Sequence, residues 1–317
     1  MLKMVMKSHL IPKKTAAEMQ NVQFKTRLGD YAARTNSALE RWLPEIDSSP
    51  VAKLSEACRY SILSGGKRIR AALALMVGEC YKNSSEAVLR YACAIELIHA
   101  YSLIHDDLPA MDNDDFRRGK PTNHKVFGEA MAILAGDNLL TTAFEWLSDL
   151  GEMGVPDNQV VRLVSLVSRS AGQEGMIGGQ VLDIASENQK ISLAQLENIH
   201  RLKTGALICA PVCGAAIICN ASMADLKILN SFAEKIGLLF QIVDDLLDVE
   251  GSLQELGKTP GKDAKSGKAT YPGLLGLEKA RELARQTHAD AISSLEGLGT
   301  DQTLLAQMAD FIYSRKN

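Results

Sequence analysis

The sequence predicts an all-α fold, and three observations support this prediction. Apolar residues recur at helical spacing through nearly all of the 317 residues. The alternation of apolar and polar residues that is typical of half-buried strands is absent, and no Asn-Gly dipeptide marks a tight β-hairpin. We therefore expect ten or more helices, held together by packing of their apolar faces.

Start and stop signals give the bounds of the predicted helices. Pro44 ends the first helix, Pro156 opens a later one, and Ser192 with Gln195 forms a capping-box pattern. The glycines between 172 and 179 are expected to interrupt the helical pattern. The predicted helices cover 22–42, 50–63, a stretch from 69, 86–107, 124–150, 156–172, 192–219, 223–249, a stretch from 272, and 301–314.

No linker divides the chain into separate units. A length of 317 residues, 46% of them hydrophobic, suits one large domain or two small ones. We expect residues 19–317 to form a single domain. The basic stretch at residues 1–18 lacks the long apolar run of a signal peptide and is expected to be a disordered extension.

Composition argues against several classes of function. The net charge is −3 and only 5% of residues are aromatic, so the chain offers little to attract or stack nucleic acid. The six cysteines form no Cys-x-x-Cys pair, which favours reduced core residues of an intracellular, cytoplasmic protein. No stretch reaches the ~18 unbroken apolar residues of a membrane span.

Five aspartates lie within ten residues at the end of an apolar helical stretch. At ~4 Å and an effective dielectric near ~20, each like-charged pair costs about 4 kcal/mol, so such a cluster faces water or holds cations. Pro109 should end or bend the helix and let Asp112 return toward Asp106. A solvated acidic loop is the alternative for this cluster taken alone.

A second acidic cluster lies far downstream, in an apolar helical stretch. Asp244 and Asp248 are four residues apart and therefore share one helix face. Two pairs of carboxylates, with oxygen ligands only, suit a hard cation such as Mg²⁺ that is held partly by substrate phosphates.

Cationic residues form several further groups. Gly65 and Gly66 precede Lys67, Arg68 and Arg70 at a predicted helix start, where free N–H groups favour phosphate. A basic pair follows the first acidic cluster, and one lysine lies inside an apolar helix; these residues are Arg117, Arg118 and Lys203. Each group alone also fits an ordinary basic surface.

Two other features leave alternatives open. The stretch 257–268 contains four lysines and reads either as a lid over an anion or as a surface loop. His99 lies two helical turns before Asp106, where it could donate to a phosphate oxygen or simply be a core histidine.

Seven motifs, in this order, resemble those of the trans-prenyltransferases (polyprenyl synthetases), in particular the farnesyl diphosphate synthase family. The resemblance covers the chain from about residue 25. The motifs are GGKRIR (65–70), DDLPAMD (106–112), RRGKPTNH (117–124), GGQxxD (178–183), KTG (203–205), QxxDDLLD (241–248) and GKTPGKD (257–263).

The resemblance implies an all-α, isoprenoid-synthase-type bundle around a deep central cavity, usually in a homodimer. It implies head-to-tail condensation of isopentenyl diphosphate with dimethylallyl and geranyl diphosphate to give farnesyl diphosphate. It also implies three Mg²⁺ ions per active site with substrate bound, with Mn²⁺ as a substitute.

Residue roles follow from the same resemblance. The implied Mg²⁺ ligands are Asp106, Asp107, Asp112, Asp244 and Asp248. The implied isopentenyl diphosphate ligands are Lys67, Arg70, His99 and Arg118. The implied allylic diphosphate ligands are Arg117, Lys203, Thr204, Gln241 and Lys258, of which Lys203, Thr204 and Gln241 would also lie near the developing carbocation.

Product length can be argued from helix geometry. Tyr101 precedes Asp106 by five residues and should lie about 7.5 Å deeper along the helix. Together with Ser102 it is expected to form a floor that stops growth at C15. The spacing of four residues between Asp107 and Asp112 resembles that of both bacterial farnesyl and plant geranylgeranyl synthases. A C20 product is therefore the alternative to C15.

Rival interpretations use the same residues differently. Glu96 with His99, and Glu197 with His200, match the Glu-x-x-His pattern of di-iron carboxylate oxidoreductases. That interpretation gives the basic groups no role. A second rival is a non-catalytic subunit of the same family, but such a subunit should lack some of these aspartates or cations. A third is a terpene cyclase, which would not need the separate isopentenyl diphosphate site.

Overall fold

A computed structural model describes residues 16–250 and 268–315. These ranges contain fourteen α-helices and one short hairpin. The helices are α1 Ala16–Trp42, α2 Ala52–Ile62, α3 Ile69–Cys80, α4 Glu86–Asp106, α5 Asn123–Phe127, α6 Glu129–Ser148, α7 Asp157–Ala171, α8 Met176–Ser186, α9 Leu193–His200, α10 Ala206–Ile218, α11 Met223–Glu250, α12 Tyr271–Leu275, α13 Leu277–Ser293 and α14 Thr303–Ser314. A 3₁₀ turn follows α6 at Asp149–Gly151, and a π-turn at Arg201–Gly205 joins α9 to α10. The all-α prediction is therefore confirmed.

Helix α4 is the central element of the fold. It is apolar on all sides and packs against α3, α6 and α10, as expected of a helix buried in the core. Its buried Tyr91 donates a hydrogen bond to the Ala210 carbonyl at 2.7 Å. Because α4 packs against other helices along its length, the position of its C-terminal residue Asp106 is fixed by the core.

Two helical stretches are long and apolar enough to cross a membrane by length and composition alone. They are Glu86–Asp106 and Leu193–Ile218, and 78% and 67% of their respective windows are buried inside the fold. Such burial is typical of core helices.

Gly214 allows α10 to pack closely against α4. A Cβ atom at this position would overlap the phenol of Tyr91.

We expect Gly214→Ala to lower the free energy of unfolding by about 1–3 kcal/mol through overpacking, as measured by urea denaturation. Gly29→Ala is the matched control, because this exposed position of α1 has no neighbouring atom within 4 Å; it should stabilise by about 0.5–1 kcal/mol. Equal effects of the two substitutions would contradict this packing argument.

Two helix predictions were wrong at glycines. Helix α8 runs through Gly178 and Gly179, where the sequence suggested an interruption. The helix needs glycine there because a Cβ on Gly179 would overlap the backbone of Lys203 in the π-turn. In addition, Gly128, with φ 87°, divides the predicted 124–150 helix into α5 and α6.

The sequence also gave no signal for the hairpin. Strands β1 Phe116–Arg117 and β2 Lys120–Pro121 pair in antiparallel register. Arg118 and Gly119 at its tip have φ values of 53° and 75°. Positive φ at both central residues is the geometry of a primed hairpin turn, which is usually marked by Asn-Gly.

Other boundaries agree with expectation or fall outside the described chain. The Ser192 capping box is present, with the Gln195 N–H donating to the Ser192 hydroxyl. Helix α1 begins at Ala16, three residues before the expected domain boundary at Met19. The prediction for residues 1–15 lies outside the described residues.

Candidate active site

The first acidic cluster lies where α4 ends. The predicted return of the chain is confirmed, since the Asp112 N–H donates to the Asp106 carbonyl at 2.8 Å. The Asp106 side chain accepts a hydrogen bond from Gln180 at 3.0 Å. The pKa of Asp106 is raised to about 6, mainly by burial; the charge of Lys203 lowers it and the charge of Asp112 raises it. Burial and the neighbouring Asp112 therefore disfavour the charged form of Asp106.

Asp107 is held differently from its neighbour. Its two carboxylate oxygens accept hydrogen bonds from the Arg117 guanidinium at 2.6–2.9 Å. Burial raises the pKa of Asp107, and Arg117 acts against that shift. Asp107 is thus the counter-ion of Arg117 in this structure, and of the five predicted metal ligands it is the one most fully engaged.

The second acidic cluster lies in the C-terminal half of α11. Asp244 accepts a hydrogen bond from Arg315 at 2.8 Å. Asp245 points inward and accepts the Tyr271 N–H at 2.9 Å, which fixes the start of α12. Asp248 is buried, and its Oδ1 atom has no hydrogen-bond partner among the described residues. Asp244 and Asp248 therefore differ from Asp245, which has a structural role.

Asp183 is linked to the first cluster through two lysines. It forms an ion pair with Lys203 at 2.6 Å and lies 3.9 Å from Lys268. Lys268 in turn lies 3.4 Å from Asp112 of the first cluster. Lys203 and Thr204 belong to the π-turn, an irregularity that often occurs at functional sites.

The charges that act on His200 indicate that the second cluster lies near Asp183 and Lys203. Burial lowers the pKa of His200 to about 4, while the charges of Asp183 and Asp244 act in the opposite direction. Both aspartates are thus close enough to influence the same imidazole. The second cluster therefore lies near the network of Asp183 and Lys203.

The donor set fits hard divalent cations. All candidate ligands are carboxylate oxygens, and the buried Asp248 Oδ1 has no partner among the described residues. No three His, Cys, Asp or Glu side chains form a ready metal-ligand group within residues 16–250 and 268–315. This arrangement suits Mg²⁺, which is commonly held by one or two carboxylates together with substrate phosphates and water.

A cationic pocket of about 550 Å³ lies beside the second cluster. Its charged and polar lining residues are Ser64, Lys67, Arg68, Arg70, Glu96, His99, Arg118 and Arg315. Burial lowers the pKa values of Lys67, Arg70 and His99, so the imidazole is neutral near pH 7. Cations outnumber carboxylates in this lining, so the pocket is suited to an anion.

The glycine turn shapes this pocket. Gly66 has a φ of 126°, and a Cβ atom there would come within 3.0 Å of the Arg118 guanidinium. Arg118 also donates a hydrogen bond to the Gly65 carbonyl. The hairpin therefore lays Arg118 across the turn that carries Lys67 and Arg70.

An apolar cavity of about 650 Å³ adjoins the cationic pocket. It is lined by α4 and α8 residues, together with Lys203 and Thr204. Tyr101 and Ser102 line it, as does Asp106 at its polar end. Arg70 and His99 line both this cavity and the cationic pocket, so these two residues form the boundary between them.

Some site residues were missed by sequence reasoning, and others fall elsewhere. Gln180 binds Asp106, Lys268 binds Asp112 and Arg315 binds Asp244. Gln180 and Lys268 lie in stretches that the sequence analysis singled out but were given no individual role, and Arg315 was missed because a single polar residue carries no periodic signal. Gln241 lies on α11 one turn before Asp244 and is half-buried. The predicted ligand Lys258 lies outside the described residues.

The di-iron interpretation is not supported. Glu96 is paired with Arg68 rather than facing a metal site. His200 packs against the Tyr271 ring, with centroids 5.4 Å apart.

Comparison with known proteins agrees with this geometry. Residues 51–303 match the polyprenyl synthetase family. The chain is 42% identical to farnesyl diphosphate synthase of Geobacillus stearothermophilus, covering 94% of this chain and 99% of the relative. It is 46% identical to the chloroplastic geranylgeranyl pyrophosphate synthase of Capsicum annuum, covering 93% and 79%. An apo crystal structure of an FPP/GFPP synthase from Zymomonas mobilis superposes with a TM-score of 0.82 at 37% identity, covering 93% of this chain and 100% of that chain. Family match, relatives and fold together establish that the chain belongs to the polyprenyl synthetase family.

Proposed function

We propose that this protein condenses isopentenyl diphosphate with dimethylallyl and geranyl diphosphate to give farnesyl diphosphate. One observation carries the proposal. A cationic pocket and an apolar cavity with an acidic mouth share a boundary formed by Arg70 and His99. Two anionic substrates would therefore bind in these adjoining spaces, with their hydrocarbon ends meeting at that boundary.

The cationic pocket suits isopentenyl diphosphate. Lys67, Arg70 and Arg118 present positive charge to its diphosphate, and the buried Arg70 Nε atom has no partner among the described residues. Neutral His99 can donate one N–H to a phosphate oxygen without adding charge near the developing cation.

The apolar cavity suits the allylic substrate. Asp106, Asp112, Asp244 and Asp248 would hold Mg²⁺, with Asp107 orienting Arg117 toward the same diphosphate. Bound Mg²⁺ would neutralise the charge that accumulates on the leaving diphosphate. Arg117, Lys203 and Lys258 would add positive charge to the same group.

The apolar lining of the cavity would protect the reacting cation from water. An allylic carbocation reacts with water, so the apolar lining around Tyr101 must exclude it during condensation. Thr204 and Gln241 would offer their oxygen atoms to the cation. The departed diphosphate is the base we propose for the final proton loss, because no other base stands out among the described lining residues.

Product analysis tests the proposal. The purified protein is incubated with radiolabelled isopentenyl diphosphate, dimethylallyl diphosphate and Mg²⁺, and the dephosphorylated products are separated by chromatography. We expect a C15 alcohol, and no product after chelation of the divalent metal. A C20 alcohol would instead identify the geranylgeranyl synthase that several relatives represent, and no condensation at all would refute both.

We also propose that the protein forms a homodimer. Leu134 of α6 and Leu182 of α8 are large apolar side chains that are 52% and 39% exposed and do not line the apolar cavity. A second copy covering this surface would remove it from water. Light scattering of the purified protein checks the expected mass of two chains.

A further inference from the structure

A buried ion pair lines part of the cationic pocket. Arg68 is 4% exposed and Glu96 is 3% exposed, and their side chains meet at 3.2 Å. Neither residue is among the proposed substrate ligands. Arg68 stands between Lys67 and Arg70 in the sequence, and Glu96 precedes His99 by one turn of α4.

Every guanidinium nitrogen of Arg68 has a hydrogen-bond partner. Its Nε donates to the Asn36 side chain at 2.9 Å, its Nη1 donates to Glu96, and its Nη2 donates to the Ile62 carbonyl. The backbone of Arg68 is left-handed, with a φ of 49°, which is uncommon for a residue with a long side chain. The contacts of the side chain thus hold the backbone in a conformation that it would not adopt on its own.

Glu96 anchors the same turn from the other direction. Its second oxygen accepts the Ala71 N–H at 3.1 Å, in the first turn of α3. One carboxylate therefore binds both the residue that precedes α3 and a free backbone N–H at the start of that helix. The α3 start, which carries Arg70, is tied to the α4 turn that carries His99.

The negative charge of Glu96 also offsets the repulsion among the cations of the pocket. It is the one carboxylate among the described residues lining the cationic pocket, which otherwise contains Lys67, Arg68, Arg70, Arg118 and Arg315. Like charges held this close repel one another strongly when partly buried. Without Glu96, Arg70 and Arg118 would be pushed apart, and Arg68 would be left as an unpaired buried charge.

We infer that Arg68 and Glu96 are a positioning pair that sets the spacing of Lys67, Arg70 and His99 for the diphosphate of isopentenyl diphosphate. The inference rests on the proposed function, which assigns this pocket to that substrate. A buried ion pair is often no more stable than an apolar replacement, so stability alone is a weak reason for this one. Its contacts instead fix the two segments from which the proposed ligands project.

Steady-state kinetics of Glu96→Gln tests the inference. Glutamine has the same shape and can still accept the Ala71 N–H, but it lacks the charge that pairs with Arg68. We expect the KM for isopentenyl diphosphate to rise about 10-fold to 100-fold. The KM for geranyl diphosphate, which binds in the apolar cavity, should change by less than about 3-fold, as expected for a residue that acts on the other pocket.

Three further variants, R68Q, R68Q/E96Q and Gly214→Ala, separate positioning from folding. In R68Q/E96Q both charges are absent, so the double variant should be no more impaired than R68Q alone if the residues act as one unit. It also serves as the test if the single Glu96→Gln variant fails to fold. Gly214→Ala is the matched stability control, because it should lower the free energy of unfolding without selectively raising the KM for isopentenyl diphosphate.

Arg70→Ala distinguishes the possible failures. If Arg70→Ala raises the KM for isopentenyl diphosphate but Glu96→Gln and R68Q/E96Q do not, the pair is only structural and the inference is wrong. If Arg70→Ala leaves that KM unchanged, the assignment of the pocket is wrong and the inference fails with it. Equal rises in the two KM values for Glu96→Gln would also overturn it.

Discussion

Asp106→Asn is expected to lower kcat by about 10²-fold to 10³-fold or more, the largest loss we anticipate from a single carboxylate. Asparagine keeps the shape and can still accept the hydrogen bond from Gln180. It cannot supply the negative charge that the proposed Mg²⁺ site requires. Initial rates with geranyl diphosphate and isopentenyl diphosphate, measured at saturating Mg²⁺, give the loss directly.

A stability measurement separates this effect from misfolding. Asp106 is a partly buried carboxylate whose charge is disfavoured by burial and by Asp112. Removing a charge from such a position should relieve part of that cost. We therefore expect the urea midpoint of Asp106→Asn without Mg²⁺ to equal or exceed that of the unsubstituted protein. A variant that lost activity and stability together would contradict this explanation.

Asp115→Asn is the matched control. Asp115 belongs to the same acidic run, but it is exposed and pairs with Lys125 at 2.7 Å. Its substitution should change kcat by less than about 3-fold, because an exposed ion pair contributes at most about 1 kcal/mol. If Asp115→Asn were as damaging as Asp106→Asn, general charge in this region would matter more than the proposed ligand positions.

The features that the sequence predicted correctly are local ones. Helical periodicity predicted the all-α fold, and the proline after Asp106 predicted that the chain would turn back to Asp112. The spacing of Asp244 and Asp248 placed both on one helix. In each case the signal lies within about ten residues, a distance over which backbone geometry determines the outcome.

The features that could not be predicted depend on distant partners. Gly179 looked like a helix breaker because its close approach to Lys203 involves a segment over twenty residues away. Arg315 binds Asp244 across 71 positions of sequence, and nothing near either residue indicates the pairing. The inward orientation of Asp245 likewise depends on its bond to Tyr271.

Tyr101→Ala is the second large effect that we expect, and it changes the product rather than the rate. Tyr101 is 5% exposed, lines the apolar cavity and meets the His105 ring edge-on, with centroids 5.8 Å apart. It precedes Asp106 by five residues of the same helix, about 7.5 Å along its axis, and we propose that the growing chain extends in that direction. Alanine would remove the ring and leave room for further isoprene units, so the product should shift from C15 to C20 and longer alcohols on chromatography.

Tyr101→Phe shows whether the ring or the hydroxyl sets the limit. The Tyr101 hydroxyl is buried and has no hydrogen-bond partner among the described residues. Phenylalanine therefore preserves the floor, removes an unsatisfied polar atom and should keep the product at C15. The contrast between alanine and phenylalanine tests steric length control, because both lack the hydroxyl and only one lacks the ring. A C15 product from Tyr101→Ala would place the floor elsewhere, with Ser102 the next lining residue to change.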